Sequence, residues 1–160
     1  MGQDEVAESI NVKATAATVW PMISDPANYG RWSPEATGVK RRTGRGAWQV
    51  GDRFVGGNKA WLAWSTACTV VAADPEHGEF AFDVDFAHVP IARWSYTVAD
   101  SGDGGCLVTE TWTDRRSGVI GALIKPSGVF IGRGLDAAVR NRRTMRATLL
   151  ALKAEAESHA

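Results

Sequence analysis

Residues 79–86 read EFAFDVDF, so Phe80, Phe82, Val84 and Phe86 alternate with Ala81, Asp83 and Asp85. Apolar side chains at every second position fit a strand with one face buried and one face wet. The same period returns in residues 62–73, where Trp64, Thr66, Cys68 and Val70 share a face. It returns again in 92–99, with Trp94, Tyr96 and Val98 opposite Arg93, Ser95 and Thr97, and in 106–114 (CLVTETWTD). The turn-forming segments DPEHG and DSGDGG lie between these runs. Consecutive strands joined by short polar turns pair antiparallel. Residues 52–58 (DRFVGGN) add a strand whose glycines permit sharp bending or close backbone approach, and 36–42 (ATGVKRR) supply a weaker one.

The two flanks of this block read differently. In EVAESINVK at 5–13, Val6, Ile10 and Val12 share a parity that Glu8 breaks. Thr15 can cap a helix over ATAATVWPMIS, in which Pro21 is awkward, and DPANYGRWSP reads as a turn or a second short helix. From about Arg133 to Glu157 the period becomes helical. Positions 135, 138, 142, 145, 149, 152 and 156 are Leu, Ala, Arg, Met, Leu, Leu and Ala, apolar except for Arg142. A helix of about 25 residues spans about 37 Å, against about 33 Å for a ten-residue strand. It can therefore lie along the whole concave face of a twisted sheet. Residues 115–132 (RRSGVIGALIKPSGVFIG) match neither template, which predicts a short apolar helix or a cover over a cavity entrance.

Composition bounds what such a chain can do. With 160 residues it makes one domain, residues 1–160, large enough to fold without a metal or disulfide staple. Cys68 and Cys106 form no CxxC pair and are expected to be free buried thiols. His77, His88 and His159 are scattered, so no metal site and no cofactor are expected. Lys+Arg and Asp+Glu balance at 18 each, which argues against a general nucleic-acid binder. The start, MGQDEVAE, has no apolar stretch, and GVIGALI and GVFIG are too short to span a bilayer, so a cytoplasmic location is expected. Seven tryptophans are many for this length and predict a large aromatic interior.

The order of elements is strand, two short helices, a six-strand meander and one long helix. This order resembles the helix-grip fold of the START/Bet v 1-like (SRPBCC) superfamily. SDPANYGRWSPE resembles its early Asp-Pro…Trp…Pro turn, and VGDRFVGGNKAWLAWSTACTVVAADP its glycine-bearing third strand and long fourth strand. RWSYTV followed by GCLVTETW resembles its last hairpin, and NRRTMRATLLALKAEAE the end of its terminal helix. The likeness is closest to bacterial proteins labelled polyketide cyclase/dehydrase. It implies an α+β helix-grip fold, a curved antiparallel sheet of about seven strands wrapped around a long C-terminal helix. It also implies a cavity between sheet and helix for lipids, sterols, polyketides or other apolar molecules.

The residues themselves nominate the site. Asp83 and Asp85 would be costly inside, so Phe80, Phe82 and Val84 face inward, and by the same rule so do Trp94 and Tyr96. In 106–114 the Val108/Trp112 face is the better core face, which turns Glu110 toward the cavity. Glu110 from the sheet and Arg142 from the helix are then two polar exceptions on the interior. They pair, or hold the polar end of an apolar ligand, or Glu110 acts as an acid or base with a raised pKa. The bland alternative keeps Glu110 on the outer face or bonded to a neighbour and runs Arg142 out to solvent. Candidate ligand-binding residues are Trp32, Phe54, Asn58, Trp64, Phe82, Trp94, Tyr96, Trp112, Arg142, Met145 and Leu149, and the one candidate catalytic residue is Glu110. Aromatic core filling explains any one of the rings. Together they favour a lined cavity.

Residues 115–153 carry nine cations against Asp136 alone, a local net charge of +8. A solvated helix face explains this, and so does peripheral membrane or protein contact through residues 133–146. No GxGxxG after a strand, GxxxxGK[ST], GxSxG or HExxH occurs. The expected function is binding, transport or sequestration of a small hydrophobic molecule by a monomer or weak homodimer. The alternatives are a cofactor-independent polyketide cyclase/dehydratase using Glu110, and a regulatory or toxin-like interaction protein using the basic helix.

Overall fold

The structure, a computed structural model, describes residues 5–60, 62–116, 123 and 137–159. Strand β1 (Glu5–Val12) leads into helix α1 (Ala16–Ile23), a 3-10 turn (Pro26–Asn28) and the single-turn helix α2 (Tyr29–Trp32). Six strands follow: β2 (Ala36–Arg41), β3 (Arg53–Lys59), β4 (Ala63–Asp74), β5 (Glu79–Phe86), β6 (Val89–Asp100) and β7 (Cys106–Asp114). Helix α3 (Ala137–Ser158) comes last. The strands form one antiparallel sheet in the order β1-β7-β6-β5-β4-β3-β2, so the meander is closed at one edge by the first strand. The expected helix-grip architecture is what is found. Of the expected cover at 115–132, only Arg115, Arg116 and Leu123 are described; the rest lies outside the described residues, as does the expected helix start at 133–136.

Local chemistry accounts for the elements near the start. Thr15 caps α1, its hydroxyl accepting from the Thr18 amide at 3.2 Å. Pro21 sits inside α1, where it cannot donate to the Ala17 carbonyl. Ala17 is exposed, so water can serve that carbonyl, and the helix ends two residues after the proline. Asp25 caps the 3-10 turn by accepting from the Ala27 amide at 3.0 Å.

The first residues of β6 correct the expected strand start at 92. Val89, Pro90 and Ile91 belong to the strand, with Phe86 paired to Val89 and Asp85 to Pro90. The register slips between Val84 and Asp85. A proline beside such an irregularity removes little from the ladder. The tip is then a two-residue turn, Ala87–His88, with both residues at positive φ (49° and 65°).

Parity on the sheet follows the sequence pattern. Phe80, Phe82, Val84, Tyr96, Val98, Val108 and Trp112 are buried on the concave side. Helix α3 packs chiefly over β1, at the edge of the sheet, and also meets β7, α2 and α1. Met145, Leu149, Leu152 and Ala156 fill this contact. The Glu8 interruption also finds its reason here. Its carboxylate meets Arg142 at 3.3 Å and Arg146 at 3.0 Å where α3 crosses β1.

Candidate functional site

Because α3 sits over one edge, the centre of the concave face is left to a cavity of about 180 Å³. Its floor comes from adjacent strands in register. Phe82 of β5 faces Trp94 of β6, Trp94 faces Trp112 of β7, and Tyr96 of β6 faces Glu110 of β7. Residues directly opposite on one sheet face touch, so these form a continuous aromatic wall with one carboxyl in it. Phe54 of β3 packs edge-on against Phe82 at 5.3 Å. Asn58 and Trp64, cross-strand partners on β3 and β4, line the cavity as well.

Eight of the expected residues therefore meet in one place: Phe54, Asn58, Trp64, Phe82, Trp94, Tyr96, Glu110 and Trp112. Four do not. Arg142 points away: its side chain is 49 % exposed and its guanidinium is spent on Glu8. The expectation that Arg142 shares the interior with Glu110 is corrected, because the helix lies over β1 and turns position 142 outward. Met145 and Leu149 are fully packed core beneath the helix and do not line the cavity. Trp32 is buried between α2 and α3, where its indole N–H donates to Glu155 Oε2 at 2.6 Å, and it does not line the cavity.

Other lining residues were not singled out in the sequence. Tyr29 of α2 stacks on Phe82 (5.9 Å) and tilts onto Tyr96 (5.3 Å), while its hydroxyl donates to the Ile23 carbonyl at 2.6 Å. Its signal lies in DPANYGRW, where Tyr29 and Trp32, three apart, occupy one turn and bury against sheet and helix respectively. Glu35, Cys68, Arg140, Asn141 and Thr144 supply a polar fringe, with Arg140 and Glu35 at 3.5 Å. Gly56 of β3 lines the same wall, and a Cβ there would meet only Thr66 Oγ1 at 3.5 Å and Cys68 Sγ at 3.8 Å.

Glu110 is a strongly perturbed carboxyl in the cavity wall. It is 3 % exposed. The Tyr96 hydroxyl donates to its Oε1 at 2.7 Å, and its Oε2 has no hydrogen-bond partner among the described residues. Burial pushes the carboxyl up to about 8, against the smaller lowering by the Tyr96 bond. Burial also raises Tyr29 and Tyr96 well above the ordinary phenol range, and Cys68 to about 11. At neutral pH this wall is uncharged: a protonated acid, two phenols and a thiol. It can donate hydrogen bonds to a guest and can lend a proton. Among the described residues no group of three His, Cys, Asp or Glu side chains could hold a metal ion. No helix among them is long and apolar enough to cross a membrane.

Several described cations of the basic stretch are engaged. Arg142 and Arg146 bind Glu8, and Lys153 donates to the Asn11 carbonyl at 2.6 Å and reaches Glu157 at 3.1 Å.

The chain matches the family model described as polyketide cyclase/dehydrase and lipid transport over residues 3–157. No curated protein matches its sequence. Among solved structures it is similar to a START superfamily protein from Mycobacterium smegmatis, at 14% identity and TM-score 0.71, covering 99% of this chain and 100% of that one. It is similar to the ginseng major latex-like protein 151 from Panax ginseng, at 15% identity and TM-score 0.68, covering 98% and 97%. It is also similar to the di-domain ARO/CYC StfQ from the steffimycin biosynthetic pathway, at 13% identity and TM-score 0.66, covering 96% of this chain and 45% of that one. Identities this low speak to the fold alone.

Proposed function

The chain belongs to the polyketide cyclase/dehydrase and lipid transport family, and from that premise we propose that it binds a small hydrophobic molecule in the cavity between sheet and helix. One observation carries the reading: an aromatic-walled cavity holding one buried carboxyl whose second oxygen is unpartnered among the described residues. Ligand sites are mostly apolar with a few placed polar groups. A core built only for stability gains nothing from an acid left half-bonded. The volume of about 180 Å³ is below the roughly 300–1,000 Å³ usual for drug-sized guests, so the part of a ligand held by these walls is small.

Native mass spectrometry of protein purified from its own host, followed by denaturing extraction, tests this. A single released apolar molecule is the expected result. Gly56→Leu provides the control, since the added side chain enters the cavity with only ordinary contacts at its Cβ. That variant should fold and carry nothing. Equal loading of both proteins would place the molecule elsewhere and sink the reading.

A second reading is favoured by the near-neutral titration of Glu110 alone. In a cyclase or dehydratase, a protonated Glu110 would give its proton to a departing hydroxyl, and the aromatic wall would hold the substrate in its reactive shape. Glu110→Gln separates the two: binding survives in both cases, and turnover collapses only in an enzyme.

A further inference from the structure

We propose that Glu110 serves the cavity as a hydrogen-bond donor, and that the group it receives is an uncharged oxygen acceptor on the ligand, a ketone, ester or amide carbonyl. This rests on the ligand-binding reading and names the chemistry of the ligand's polar end. The geometry assigns the proton. Tyr96 donates to Oε1, and in a protonated carboxyl the better acceptor is the carbonyl oxygen. Oε1 is then the carbonyl and Oε2 carries the hydrogen. Oε2 is buried on the cavity wall with no partner among the described residues. A donor left unmet in such a place is costly, and an incoming acceptor removes that cost.

The surroundings decide which acceptor. Tyr96 from β6, Tyr29 from α2 and Cys68 from β4 are neutral, held so mainly by burial. Glu8, the cross-strand neighbour on β1, spends its charge on Arg142 and Arg146. Asp114, farther along β7, is paired with Arg116, and the Glu35–Arg140 pair lies on the fringe of the same cavity. No cation among the described residues is a source of the Glu110 shift, which comes from burial against the Tyr96 bond. A carboxylate guest at Glu110 would meet an acid, and Arg140, the guanidinium that lines the cavity, is already paired with Glu35. An ammonium guest would shed its water in an apolar slot and draw the proton off Glu110, an exchange that buried ion pairs do not readily repay. A carbonyl asks for neither. A dry cavity of about 150 Å³ takes one benzene, so a carbonyl on a single ring is a probe of the right size.

Three probes of nearly one shape test this: acetophenone, α-methylstyrene, which has CH₂ in place of the oxygen, and 1-phenylethylamine. Their affinities are measured by calorimetry at pH 6.5 and pH 9.5 for the wild type, Glu110→Gln and Glu110→Met, with circular dichroism checking the fold of each. The wild type at pH 6.5 should prefer the ketone over the alkene roughly three- to tenfold, the value of one neutral hydrogen bond. At pH 9.5 Glu110 has ionised and the preference should vanish. Glu110→Gln keeps an N–H donor that does not titrate, so its preference should persist at both pH values. Glu110→Met should show none. If Glu110→Met does not fold, the pH dependence of the wild type against Glu110→Gln still decides. Equal affinity for ketone and alkene at pH 6.5 overturns the donor role while the binding site stands. A preference for the amine that grows with pH overturns it in favour of a cation site. Wild type that binds none of the three at either pH overturns both this inference and the ligand-binding reading.

Discussion

The carboxyl of Glu110 gives up its water on folding and regains one hydrogen bond, from Tyr96. A glutamate in the unfolded chain titrates at 4.5 and this one at about 8. Between those values the unfolded chain has lost a proton that the folded chain keeps. Stability therefore falls as pH rises through that window, by about 1.4 kcal/mol for each unit of displacement spanned. Below it both forms are protonated, and above it the loss is complete. Thermal midpoints of the wild type should thus decline from pH 5 to pH 8, while those of Glu110→Gln stay flatter; parallel curves would show that the burial of Glu110 is not the cause. Arg142 makes the opposite case. Its bond to Glu8 is half exposed, and such pairs contribute about 0–1 kcal/mol. Arg142→Ala should cost no more than that and leave affinity for a cavity ligand unchanged, whereas a large loss of affinity would return Arg142 to the site. The sequence pattern reveals Glu110 because a strand has two faces and Val108 and Trp112 choose between them. It does not reveal Arg142, because a helix face has no meaning until the partner surface is known. Its partner is Glu8, the other misfit in the pattern, and 134 positions separate the two.

Among the elements, strands are read more faithfully than their ends. β5 and β7 lie where the alternation puts them. β6 starts three residues before its alternation does, because a register slip and Pro90 hide the period of two there. The resulting two-residue tip places Ala87 and His88 in the left-handed region, which suits Asn-Gly and strains residues bearing a Cβ without that preference. Ala87→Asn combined with His88→Gly should raise stability by about 1 kcal/mol or more, read as a higher denaturation midpoint. An unchanged or lower midpoint would mean that the side chains of the tip contribute more than its backbone costs. The glycines of 52–58 are legible as places of close approach, but the pattern does not say what approaches. At Gly56 it is the cavity.

At the level of the whole molecule, α3 is fastened to α2 as well as to the sheet. Glu155 accepts from the Trp32 indole at 2.6 Å and also pairs with Arg31. A hydrogen bond to a charged group contributes about 1.5–3 kcal/mol, so Glu155→Ala should lower stability on that scale, checked by chemical denaturation. The same four-residue helix carries Tyr29 over the cavity. The variant should therefore also bind cavity ligands more weakly, and unaltered affinity would show that Tyr29 keeps its place without this tie. Trp32 stands out in the early turn, but the sequence pattern does not say whether its ring faces a guest or a neighbouring helix, and here it faces the helix.

The sheet order sets β1 beside β7, with Val12 paired to Cys106 and Glu5 to Thr113. Strand β1 thus waits for its β7 partner until about a hundred residues more have been made, roughly 5–20 s at usual rates of synthesis. Loop closure over that distance is slow to nucleate. During the wait Val6, Ile10 and Val12 lack the β7 residues that pair with them in the finished sheet. The hydrophobic floor under α3 is complete only once β7 has been made, so chains stalled before Cys106 carry β1 without its partner.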